Sequence, residues 1–114
     1  MNDLEICKKI AEIEGVYYIE TKYHHNDNFL GLVDEPGGSG SPPELIGEYN
    51  PLTDDALCFQ LMIKYKVAVQ WLWDENDGTP HYMAYAVTSY ECVEHSDSPN
   101  KAILLSIITA EEAK

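Results

Sequence analysis

A chain of 114 residues with 45% hydrophobic residues can build one core of ordinary size, since single domains cluster at about 100–150 residues. Its 20 acidic residues against 7 basic ones give a formal net charge of -13, and every basic residue is Lys. Without Arg to clamp phosphate or carboxylate, and with a field that repels polyanions, the chain is not expected to bind nucleic acid directly or to adhere to anionic membranes; a partner with a basic surface is the natural complement.

The first element in chain order is a helix over residues 2–14. Asn2 stands where a cap belongs and Glu5 follows three residues later. Leu4, Cys7, Ile10 and Ile13 recur at helical spacing, and Gly15 is the natural stop. The segment "VYYIETKY" (16–23) is β-branched and aromatic, which predicts a strand, and residues 29–33 predict a short second strand pairing back onto it. "GGSGSPP" is incompatible with helix or central strand, so a Gly/Ser/Pro-rich loop is expected over about 34–47.

Asn50-Pro51 reads as the start of a second helix, with Asp54 and Asp55 in its first turn and Lys64 and Lys66 at its far end. Between these charges only Gln60 is polar in "ALCFQLMI", which predicts a central helix buried nearly all round. Residues 67–74, "VAVQWLWD", alternate as a strand, with Val67, Val69, Trp71 and Trp73 on one face and Ala68, Gln70 and Leu72 on the other. Asp77-Gly78 predicts a hairpin turn. The returning strand divides Tyr82, Ala84 and Ala86 from His81, Met83, Tyr85 and Val87, and its alanines suit close approach of a helix. Ser98 as cap and Pro99 at the first helical position open a closing helix. The fold class expected is α+β: a single-domain layered sandwich over residues 1–114 in the order α-β-(β)-α-β-β-α, with a mainly antiparallel or mixed sheet and helices packed on it.

Two stretches carry a resemblance. "YNPLTDDALCFQLMIKYKV" (49–67) and "SPNKAILLSII" (98–108) are similar, in order and position, to signature stretches of the phage ABA-sandwich domain family, small phage and prophage proteins with a sheet between helices. The match covers roughly half the chain, and Lys101 stands where the family usually has Arg. The resemblance implies the fold and a phage origin, hence the cytoplasm of a bacterial host. It implies no catalytic residue, and both motifs also read as helix starts and core.

Candidate chemistry is sparse. Cys7, Cys58 and Cys92 are too few and odd in number for a disulfide framework; their apolar settings predict buried free thiols and a reducing compartment. Cys92 and His95 have a Cys-x-x-His spacing on which His24, His25 and His81 would have to converge, but zinc sites usually show two such local pairs, so solvated histidines are the better expectation and no metal or other cofactor is assigned. Paired acids such as Asp54-Asp55 are accounted for by the helix dipole, and "GGSGS" lacks the Lys-Ser/Thr of a phosphate loop. No nucleophile motif occurs. No run approaches the ~20 apolar residues of a membrane span, and "MNDLEICKK" lacks a signal-peptide core, so a cytoplasmic protein is expected.

What remains is recognition. Rings on strands are more often core than surface, yet Trp and Tyr are also favoured anchors of interfaces. The binding candidates are Trp71, Trp73, Tyr82 and Tyr85, with the loop acids Asp34, Glu35, Asp74, Glu75 and Asp77. The expectation is a non-enzymatic phage or prophage accessory protein that binds a host protein with a basic surface, such as a CRISPR complex inhibited through acidic mimicry. Alternatives are a binder that sequesters a small ligand such as a nucleotide signal, and a phage structural or assembly protein; homo-oligomers are compatible with each.

Overall fold

The computed structural model describes residues 2–22, 28–33, 45–73, 80–86 and 94–113. The expected hairpin turn around Asp77-Gly78, and the Gly/Ser/Pro-rich loop as far as residue 44, lie outside the described residues. The elements are α1 (Asp3–Glu14), β1 (Tyr18–Lys22), β2 (Asn28–Val33), β3 (Leu45–Glu48), α2 (Asp55–Lys64), β4 (Val67–Trp73), β5 (Pro80–Ala86), β6 (Glu94–Ser96) and α3 (Pro99–Glu112). The class is α+β and the order is the one expected, with β3 and β6 added. Both sheets, β1-β2-β3 and β4-β5-β6, are antiparallel throughout. The elements group into two compact units, Met1–Asn50 and Pro51–Lys114.

In the first unit, the Asn2 side chain accepts the Glu5 N–H at 2.8 Å and caps α1. Gly15 ends the helix at φ 68, a left-handed conformation that costs little without a Cβ. Ile6, Cys7, Ile10 and Ala11 form the buried stripe of α1, which packs on β2, where Leu30 and Val33 are also buried. Tyr18 donates its hydroxyl to Glu12 at 3.2 Å, and Lys8 pairs with Glu20, so α1 is also tied to β1. The β3 strand corrects the loop expected over 45–47. It is four residues long and begins two residues after a Pro pair, so it has no local pattern of its own; pairing along β2 makes it a strand. Tyr49 follows it and is buried, its N–H donating to the Leu30 carbonyl at 2.9 Å. Burial, and then the charges of Glu14 and Cys7, push its hydroxyl up to about 12.

In the second unit, α2 begins later than the sequence suggests. Asp54, not Asn50, is the cap: its carboxylate accepts the Leu57 N–H at 3.1 Å and adds a charge the helix dipole favours. Residues 51–53 form a turn, and Asn50 instead accepts the Cys7 thiol at 3.5 Å within the first unit. Lys66, at φ 54, turns the chain from α2 into β4.

The burial expected of α2 belongs to α3. Only Cys58 and Leu61 of α2 are buried, while Phe59 is 57% and Ile63 60% exposed. By contrast, α3 buries Ala102, Ile103, Leu104, Ser106, Ile107, Ile108 and Ala110. The cause lies in what each helix has to pack against. Helix α3 lies across all three strands of its sheet and against α2. Ala84 and Ala86, at 0% and 2% exposure, give it the close approach that small residues permit. Among the described residues helix α2 leans on α3 and makes a smaller contact with β4. Inside the core of this unit the buried Ser106 hydroxyl donates to the Ile103 carbonyl at 2.7 Å, and Thr109 donates to Glu94 of β6 at 2.8 Å.

Asn100 joins the two helix starts. Its side-chain amide donates to the Leu52 carbonyl at 3.0 Å and to the Asp55 carboxylate at 2.8 Å, while its backbone carbonyl accepts from the Cys58 thiol at 3.9 Å. Residues 49–67 and 98–108 thus meet through a structural bond. Asn100→Ala is expected to cost about 1–2 kcal/mol, because it removes two hydrogen bonds, one of them to a carboxylate. Thermal unfolding checks this; an unchanged midpoint would deny the tie its structural role.

Candidate interaction surface

Register places the side chains of the second sheet. Trp71 lies opposite Tyr82, and Tyr82 opposite Ser96, so these three form one row across β4, β5 and β6. Alternation puts the row on the face that carries Val67, Ala84, Ala86 and Glu94, the face α3 covers. The cover is incomplete. Val67 is buried at 8% exposure, whereas Val69 and Trp71 further along the same strand are 38% and 53% exposed. Asp97 follows Ser96 and accepts its hydroxyl at 3.3 Å, placing an exposed carboxylate at the end of the row.

Tyr85 belongs elsewhere. It sits opposite Ala68 on the other face, with Gln70, Leu72, His81, Met83 and His95. The aromatic set named from sequence therefore does not form one groove: Trp71 and Tyr82 are brought together, and the sheet separates Tyr85 from them. Trp73 pairs with Pro80 at the end of the ladder. Asp34, Glu35, Asp74, Glu75 and Asp77 lie outside the described residues.

Other exposed groups carry no obvious sequence signal. Phe59 and Ile63 stand four residues apart on α2, in a run so uniformly apolar that periodicity cannot say which side is covered. Asp97 sits in the two-residue link Asp97-Ser98 between β6 and α3, which reads as any turn would.

Reactive chemistry is muted in the described residues. Cys7 and Cys58 are buried free thiols, as expected, and burial, then Asp55, pushes Cys58 up to about 11, so little thiolate forms near neutrality. No group of three or more His, Cys, Asp or Glu gathers among the described residues. His81 and His95 nevertheless meet, with ring centres 5.2 Å apart and planes at 44°; His24, His25 and Cys92 lie outside the described residues. A cavity of about 300 Å³ is lined by Lys64, Tyr65, Lys66, Ala86, Ile107 and Glu111 among others. No described helix is long and apolar enough to cross a membrane.

No family model matches the sequence, and no curated protein and no solved structure is significantly similar to it.

Proposed function

We propose that this chain is a non-enzymatic phage or prophage accessory protein that works in the host cytoplasm by binding a host protein with a basic surface. The observation that carries the reading is Trp71: a Trp 53% exposed on a paired strand, opposite Tyr82, at the margin of the face α3 covers. Trp and Tyr are the side chains most often found at the energetic centre of protein interfaces, and a rigid strand presents them at small entropic cost. Asp97 sits at the end of their row, and the chain as a whole carries a net charge of -13. A defence complex that normally grips nucleic acid, such as a CRISPR surveillance complex, has a surface of the complementary sign, on which carboxylates take the places of phosphates.

The test is a pull-down from bacterial lysate at low and high salt. The native chain is run beside a variant with Asp34, Asp74 and Asp77 changed to Asn and Glu35 and Glu75 changed to Gln. A stoichiometric partner retained by the native chain at low salt, lost at high salt and weakened at least about tenfold by the variant is the expected result. Binding that ignores both changes would remove the mimicry.

The cavity beside Lys66 favours a second reading, a small anionic ligand such as a nucleotide. Two Lys line it, Lys64 lies 5.6 Å from the Tyr65 ring, and Lys66 holds an uncommon backbone conformation of the kind that gathers at ligand sites. An empty pull-down, with a nucleotide-induced rise in melting temperature that Lys66→Ala abolishes, would select it.

A further inference from the structure

We propose that His81 and His95 form a two-histidine site for a zinc-class transition-metal ion on the sheet face opposite α3. The register makes the pairing. His95 of β6 sits opposite Met83, and His81 lies two residues along β5, on the same face and diagonal to His95. Diagonal neighbours on a sheet are within reach only of long or aromatic side chains, and here the rings do reach, their centres 5.2 Å apart. Two imidazoles bound to one tetrahedral zinc, each with Zn–N of about 2.0–2.1 Å, hold their ring centres about 5 Å apart. The observed spacing, which falls in the ordinary range for packed rings, also equals the one a chelate needs. The rings are tilted at 44°, not stacked, so a nitrogen of each can turn toward a common point.

Access and support suit the same role. His95 is exposed and His81 half-buried, so an ion can enter from solvent. Both residues stand on hydrogen-bonded strands, and ligands on strands need less ordering on binding than ligands on loops. Alternation keeps Glu94 on the α3 side, bonded to Thr109, and leaves Met83 beside the pair. Imidazole nitrogen favours zinc, copper and nickel over magnesium or calcium, which separates this site from unspecific attraction to an acidic surface. Two protein ligands leave the remaining positions of the ion to water or to a second molecule.

The probe is Zn²⁺ alone, titrated calorimetrically into the full chain in a large excess of Mg²⁺, with histidine ring NMR signals followed in parallel. Saturable binding of one equivalent is expected, shifting the signals of both rings. His81→Gln and His95→Gln should each weaken it by at least about tenfold, with circular dichroism unchanged. Absence of saturable binding would overturn the proposal, as would a site displaced by Mg²⁺ or one of equal affinity in both variants.

Discussion

Leu104→Ala should destabilise the second unit by about 2–5 kcal/mol, the loss of a fully buried side chain from its core. Leu104 is fully buried in the middle of α3, the helix that spans the whole β4-β5-β6 sheet. Removing its side chain forfeits both the transfer energy of the lost groups and the packing around the cavity left behind. Small domains have only about 5–15 kcal/mol in total, so the loss is a large share. The counterpart is Phe59→Ser on α2, expected to change stability by less than about 1 kcal/mol because more than half of that ring already meets water. Denaturant unfolding monitored by helix circular dichroism compares the two. A central α2, as its composition suggests, would reverse the order, with the Phe59 variant the more damaging.

Trp71→Ala is expected to weaken partner binding by about 30-fold or more, the 2 kcal/mol that defines an interface hot spot. Its effect on folding should be slight, because the side chain is 53% exposed. Tyr85→Ala supplies the contrast. Tyr85 lies on the opposite face of the sheet, so its loss should leave affinity within about twofold of the native value. Surface plasmon resonance on the captured partner measures both. Equal loss in the two variants would mean that the contact does not distinguish the faces of this sheet, and no loss in the Trp71 variant would remove the row Trp71-Tyr82-Ser96 from the interface.

Part of this architecture is legible in the sequence. Helix ends with short-range chemistry were readable: Asn2 with Gly15, and Ser98 with Pro99, sit where a sequence reading puts them. So was the face division of β4 and β5, because a period of two needs no tertiary information. The buried alanines 84 and 86 follow from the same alternation. What failed was everything decided by a neighbour. Strands β3 and β6 are too short to announce themselves and exist because β2 and β5 offer edges to pair with. The cap of α2 moved from Asn50 to Asp54, since two competent capping residues stood within one turn and local propensity does not choose between them. Apolar composition marked α2 as the central helix, but burial depends on the area available to cover a helix, and α3 occupies it. The candidate surface shares this limit. Alternation alone sets Tyr85 on the face away from Tyr82, but Trp71 could not be set opposite Tyr82 until the register of β4 and β5 was known. His81 and His95 are 14 residues apart in sequence, and only the β5–β6 pairing brings their rings together.

Affinity for the captured partner, measured as a function of salt, tests the central claim most directly. An acidic surface seated on a basic one releases attraction as ions screen it, so the equilibrium constant should fall by at least about tenfold between about 50 and 200 mM salt. The variant with Asp34, Glu35, Asp74, Glu75 and Asp77 neutralised should show a shallower slope. A native affinity independent of salt, with the same value in that variant, would contradict recognition through charge and leave the exposed ring of Trp71 as an apolar contact without an electrostatic frame.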